Sequence, residues 1–291
     1  MPTGQALVDE VNKTALAPGE CAFWWLGQLG YILKLGDTVL YLDPFLSPGG
    51  GRTTPPLLRP AEVTNATVIM GSHDHGDHID RPAWPGLAQA SPGAKFVLPE
   101  LLRKRVAADL KVPEDRFIGL DDGKTVEVAG VRISGVAAAH EFLDQDPKTG
   151  RYPYMGCIIE AGGLRVYHAG DTCKYEGLEA RLRRVSPIDL AFVPINGRDA
   201  VRLRSNCIGN MTYQEAVDLA GAVGVRLAVP SHWDMFKNNS EDPQKFVDYV
   251  AVKFPKVRTL VPKHGERVLW RAQGCPLEGG TGQRGVPPER S

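Results

Sequence analysis

The sequence lacks the features that would assign it to several large protein classes. No apolar run approaches the roughly 20 residues that a membrane-spanning helix needs. Residues 1–20 lack the basic, apolar and cleavage-site succession of a secretory signal. The expectation is a cytoplasmic protein with no membrane partner. Net charge is missing too: 34 Lys plus Arg balance 34 Asp plus Glu, so no whole-chain field draws the protein to nucleic acid. Only five cysteines occur (Cys21, Cys157, Cys173, Cys207, Cys275), and no two form a C-x-x-C pair. That spacing excludes a thiolate zinc knuckle, and the odd number argues against a disulfide framework. The partners this leaves are a small-molecule substrate and further copies of the chain in a homo-oligomer.

What is present is ordinary globular material, 43% hydrophobic and 23% charged over 291 residues, enough for a sizeable core. Apolar residues at helical spacing (Leu7, Val8, Val11) predict a leading helix over Gln5 to Thr14, stopped by Pro18-Gly19. Strand-like runs at Ala22 to Leu26, Tyr31 to Leu35 and Thr38 to Leu42, broken by turn residues, predict an antiparallel meander. Ser47 to Pro60 has no period and reads as a long loop. Thereafter strands and helices alternate as far as Thr259 to Val261. That order predicts an α/β (α+β) protein of sheets covered by helices, one domain over residues 1–271. From Ala272 onward Gly and Pro accumulate, and residues 272–291 are expected to form a disordered tail.

The chemistry concentrates in His73-Asp74-His75-Gly76-Asp77-His78, just after the predicted strand Thr67 to Ser72. Residues two apart in an extended segment point the same way, so His73 and His75 can reach one cation together. Asp77 and His78 lie where the chain turns toward a helix and can address a second position. Imidazole and carboxylate are the donor set for zinc, manganese or iron. Three more such residues follow strand ends: His140, Asp171 and His232. Each alone is also an ordinary turn or cap residue; together they place four loops at one edge.

These residues, in this order, resemble the metallo-β-lactamase superfamily, and within it the ascorbate-6-phosphate lactonase (UlaG-like) group. The resembling stretches are Phe23 to Gly27, Leu42-Asp43-Pro44-Phe45, Ser72 to Asp80, His168 to Thr172, Asn210-Met211-Thr212 and Pro230 to Asp234 running into Asp242-Pro243-Gln244, spanning residues 18–250. The resemblance implies a four-layer αββα sandwich with two divalent metal ions at one edge. It implies that His73, His75 and His140 hold one ion, that Asp77, His78 and His232 hold the other, and that Asp171 bridges them. Asp43 matches an acid that supports the ligand loop from behind. The chain departs from the lactonase group by a short Ser47 to Pro60 segment and by a histidine at 140, which it shares with phospholipase-type relatives along with a His232-Trp233 pair.

Two such ions, roughly 3.5–4 Å apart, lower the pKa of a bridging water toward 7. The expected activity is therefore hydrolysis, by a hydroxide bound to both metals, of a small polar lactone or ester that can carry phosphate. Phosphodiester hydrolysis, phospholipase-like or nucleotide-directed, is the alternative. Asp77 is the residue expected to orient the attacking water. Arg198 and Arg202 follow the strand Leu190 to Pro194, and with Lys237 and His264 they are the candidate substrate contacts. Each of the four also fits a solvated loop or turn. Thr212 with Glu215 forms a capping-box pattern, a structural feature.

Overall fold

The computed structural model describes residues 1–272. The first sheet takes β1 (Glu20–Gly27), β2 (Gly30–Leu35), β3 (Thr38–Leu42), β4 (Val68–Met70), β5 (Lys95–Pro99) and β6 (Phe117–Leu120). The second takes β7 (Thr125–Val128), β8 (Val131–Ala137), β9 (Met155–Ala161), β10 (Leu164–His168), β11 (Leu190–Pro194), β12 (Leu227–Ser231) and β13 (Arg258–Thr259). The last strand, β14 (Arg267–Arg271), returns to the first sheet and pairs antiparallel with β1, giving seven strands in each sheet. The helices are α1 (Gln5–Lys13), α2 (Trp84–Ala90), α3 (Arg103–Leu110), α4 (Leu178–Arg183), α5 (Ala200–Arg204), α6 (Tyr213–Val223) and α7 (Pro243–Lys253).

The period of two along each strand builds the layers. On β1, Cys21, Phe23 and Trp25 join the apolar layer between the sheets, while Ala22, Trp24 and Leu26 face the layer shared with α1 and α2. On β12, Leu227 and Val229 point inward and Ala228 points to the layer under α6 and α7. Three apolar layers therefore separate helices, sheet, sheet and helices, which is the expected αββα sandwich. Burying each large side chain is worth about 1.5–3 kcal/mol. Strands buried on both faces, such as β1 and β11, read as continuous apolar runs for the same reason.

The meander and the first helix stand where the periodicity predicts them. Two strands carry too little pattern to be predicted: β6 is four residues long and contains Gly119, and β14 has only Val268 and Trp270 buried. The segment after β11, expected as an open loop, contains α5, capped by the Asp199 carboxylate accepting from Val201 N (2.9 Å) and Arg202 N (3.0 Å). Of the expected tail, Ala272 is described and its carbonyl accepts from Arg226 Nη1 at 2.8 Å; residues 273–291 lie outside the described residues. No described helix is long and apolar enough to cross a membrane.

The topology fixes where chemistry can assemble. Strands β3, β4, β5 and β6 run parallel, as do β10, β11, β12 and β13. Loops leaving the carboxyl ends of parallel strands gather on one edge, the usual place for a site in α/β sheets. Two backbone bonds stitch the sheets together there, Met155 N to Ser72 O (3.0 Å) and His232 N to Gln28 O (2.9 Å).

Candidate metal centre

The loop after β4 is shaped by its neighbours. Gly71 is required because a Cβ there would lie 2.6 Å from Ile79 Cγ1 and 2.8 Å from Trp84 Cη2. The chain then turns, with Ile79 N bonded to His75 O at 2.8 Å, and the buried Asp80 carboxylate accepts from Leu46 N (2.8 Å) and Ser47 N (2.7 Å). The alternation expected for the motif is realised. His73 Nε2 and His75 Nδ1 approach to 2.9 Å, while Asp74 between them turns outward to ion pairs with Arg81 and Arg105.

Asp43, fully buried after β3, supports this loop from behind. Its Oδ1 accepts from Ser72 N (2.7 Å), and its Oδ2 accepts from Ser72 Oγ (2.7 Å) and lies 2.7 Å from His78 Nδ1. With Nδ1 bound in this way, His78 presents Nε2 to the edge, where that atom is buried without a hydrogen-bond partner among the described residues.

Three further loops close the ring. Asp171 Oδ2 lies 3.2 Å from His232 Nε2 and 3.8 Å from His140 Nε2, and its Oδ1 lies 3.5 Å from His78 Nε2. Asp77 Oδ2 lies 3.5 Å from His78 Nε2 and 3.6 Å from His232 Nε2. Thr172 Oγ1 accepts from Ala139 N at 3.0 Å and Cys173 N donates to Ala139 O at 2.7 Å, so the loops carrying Asp171 and His140 are fastened to each other. The resulting groups are His73, His75 and His140; His73, His78 and Asp171; and Asp77, His78 and His232.

The donor set fits divalent cations. Ligands about 2.1 Å from one ion stand about 3.0–3.4 Å apart at octahedral or tetrahedral angles. The separations around Asp171, 3.2 to 3.8 Å, are close to that spacing without a hydrogen-bonding alternative for His78 Nε2 or Asp171 Oδ1. Charge fits as well. Burial and neighbouring imidazoles push His73 down, and burial pushes His140 down to about 4. Burial acts the same way on His78 and His232, but carboxylates outweigh it. Asp171, Asp77 and Asp43 raise His78 well above its ordinary value, and Asp171 with Asp77 raises His232 to about 10. Although burial opposes it, these imidazoles keep Asp77 and Asp171 far below the usual carboxylate range. Two buried carboxylates among imidazoles are a donor set that suits a divalent cation.

The candidate substrate contacts sit differently. Arg198 forms a forked pair with Glu215 (2.6 and 2.7 Å) and also donates to Asn210 O (3.0 Å). Arg202 donates to Asn196 O, Gly197 O (3.1 Å) and Ser240 O (2.8 Å). Both guanidiniums thus brace the loops around α5. His264 Nε2 lies 2.9 Å from Leu26 O with its ring edge-on to Trp25, and Lys237 is exposed. The Trp233 indole stacks on Trp25 at 5.0 Å and donates to Pro230 O at 3.1 Å.

Two neighbours of the centre carry no sequence pattern. Tyr154 places its ring 5.4 to 6.5 Å from those of His73, His75 and His140. Gln28, in the β1–β2 turn, is fully buried and donates from Nε2 to Asp77 Oδ2 at 3.0 Å. Backbone strain gathers at the same place: Gln28, Asp43, Glu141 and His232 all have positive φ (52°, 42°, 75° and 58°) without being glycine.

Comparison with known proteins identifies the family. The family model described as the beta-lactamase superfamily domain matches residues 38–233. A UPF0173 metal-dependent hydrolase of Pyrococcus abyssi is 30% identical over 244 residues, 84% of this chain and 97% of the relative. Another from Saccharolobus solfataricus is 28% identical over 226 residues, 77% and 90% of the two chains. Among solved structures, the metallo hydrolase Igni18 from Ignicoccus hospitalis superposes with a TM-score of 0.66 at 21% identity, covering 87% of this chain and 99% of its own, a likeness of fold. The Pyrococcus and Saccharolobus relatives bear the UPF0173 designation and not that of the ascorbate-6-phosphate lactonase group, so the narrower resemblance gives way to the broader one. The chain belongs to the metallo-β-lactamase superfamily, in the UPF0173 family of metal-dependent hydrolases.

Proposed function

We propose that the chain hydrolyses a carboxylic ester or lactone of a small organic molecule at a binuclear centre. In it His73, His75 and His140 hold one divalent ion, Asp77, His78 and His232 hold the other, and Asp171 serves both. The observation that carries this is the Asp171 carboxylate, whose oxygens face His78, His140 and His232 from three different loops. Ions bound there supply Lewis acidity and bring the pKa of a water toward neutrality.

The protein's own contribution is orientation. Asp43 Oδ2 engages His78 Nδ1, so Nε2 is the nitrogen offered to the edge. Asp77 stays ionised and can accept a hydrogen bond from the attacking water, which aims that water at the substrate. Tyr154 stands over the three histidines with its phenol, raised by burial, in the neutral donor form.

The surroundings favour a carbonyl substrate over a phosphodiester. Arg198 and Arg202 are engaged with protein partners, which removes the forked cations that a phosphate would use. Exposed apolar side chains also stand in the segments after His140 and on α5. Among the described residues, six large hydrophobic side chains stand exposed, and four of them are Phe142 and Leu143, just past His140, and Val201 and Leu203, on α5. This supports a substrate with a hydrocarbon portion beside its scissile carbonyl. Assaying metal-loaded protein against esters and lactones of graded chain length and against phosphodiesters tests the reading. It expects turnover of esters or lactones that rises with chain length, and hydrolysis confined to diesters would overturn it.

A further inference from the structure

Gln28 occupies a position that hydrogen bonding alone does not account for. Its main chain is pinned on three sides: N donates to Asp234 Oδ1 (2.9 Å), and O accepts from His232 N (2.9 Å) and Trp25 Nε1 (3.0 Å). These bonds hold a non-glycine residue at φ 52°, a conformation that needs such support. Their effect is to hold the side chain, fully buried, against Asp77 and His232.

The terminal amide atom there lies 3.0 Å from Asp77 Oδ2 and 3.4 Å from His232 Nε2. Those are the separations expected between two ligands of one ion, about 3.0–3.4 Å. Meanwhile the other amide atom, Oε1, is buried with no partner among the described residues. A carboxamide is close to isosteric about its end, and exchanging oxygen for nitrogen is a rotation about one bond. The NH2 end faces the Asp77 carboxylate, as a donor should. With a cation between Asp77, His78 and His232, the NH2 end would face a positive charge and the carbonyl would still lack a partner. Rotating the amide gives the carbonyl oxygen the ion as its partner.

We propose that Gln28 is itself a ligand of the position formed by Asp77, His78 and His232, its carbonyl oxygen turning to the ion when one binds. The proposal rests on the reading that this position holds a metal. It makes the two positions unequal beyond the shared Asp171: one has the three nitrogens of His73, His75 and His140, whereas the other has two nitrogens, from His78 and His232, and adds the Gln28 oxygen to the Asp77 carboxylate. An oxygen-rich set of that kind favours manganese or iron, and the imidazole set favours zinc.

The test is titration of metal-free protein with Co(II) alone, comparing wild type, Gln28→Leu, Gln28→Glu and His232→Ala, with circular dichroism confirming that each is folded. Wild type is expected to take two cobalt ions. Gln28→Leu should weaken only the ion that His232→Ala loses, by at least about tenfold, and should intensify its visible absorption per ion as the coordination number falls. Gln28→Glu decides between ligand and mere donor. A ligand oxygen is kept and given charge, so that same ion binds as tightly as in wild type or more tightly. Were Gln28 only a hydrogen-bond donor to Asp77, the glutamate would set carboxylate against carboxylate and loosen the site as much as leucine does, which would overturn the proposal. Unchanged cobalt binding and spectrum in Gln28→Leu, in a protein whose second ion is lost in His232→Ala, would overturn it and leave the binuclear reading intact. A wild type that takes one ion overturns both.

Discussion

The two halves of the centre are built from the same residue type and made into different kinds of donor. His73 and His140 are held down by burial and face mostly other imidazoles, whereas His78 and His232 are equally buried and held up by Asp43, Asp77 and Asp171. The contrast follows from the placement of carboxylates and not from solvent exposure, since His73, His78 and His232 are all 2% exposed or less. On the proposed assignment, a fold that delivers ligands from separate loops tunes two adjacent positions independently, with one carboxylate, Asp171, common to them.

Breaking the shared residue should do most damage. Asp171→Ala is expected to lower kcat/KM by about a thousandfold or more, several kcal/mol of lost charge stabilisation, and to weaken both ions. Loss confined to one ion would show that Asp171 belongs to one half. Next comes the support behind the ligand loop. Asp43→Asn keeps the shape but weakens acceptance from His78 Nδ1 and Ser72, so affinity should fall about 10–100-fold on the His78 side and change little on the His73 side. Equal loss at both positions in a competition titration would count against the asymmetry. Removing the metals is expected to lower the melting temperature by roughly 5–10 °C, the value of about 2.7 kcal/mol for ligand held at a hundred times its Kd. The smallest effect is reserved for Arg198→Ala. Its pairing with Glu215 is partly exposed and worth at most about 1 kcal/mol, so stability should shift slightly and KM should stay within about twofold. A KM raised tenfold would return Arg198 to the substrate.

The legibility of this molecule in its sequence divides along the same physical lines. The ligand run from His73 to His78 is local, so its residue types and period declare a cation site without any tertiary information. His140, Asp171 and His232 could be read because each follows a recognisable strand, and strand ends collect at one edge. The layers could be read from alternation, as at Phe23 and Trp24. Arg198 and Arg202 show the opposite case. Their closeness in sequence to the site suggested substrate contact, yet their partners, Glu215 and Ser240, lie 17 and 38 residues further on. Gln28 was invisible because a glutamine in a turn has no pattern, and its approach to Asp77 depends on the β1–β2 turn meeting a residue 49 positions away. Strand β14 was missed because its pairing with β1 spans nearly the whole chain.

Elemental analysis of the purified protein, reconstituted with excess manganese, zinc or iron and then desalted, tests the binuclear account most directly. It predicts two ions per chain in wild type and one in each of His73→Ala and His232→Ala, with opposite ions lost. One ion or none in wild type, or full metal content in both variants, would contradict it.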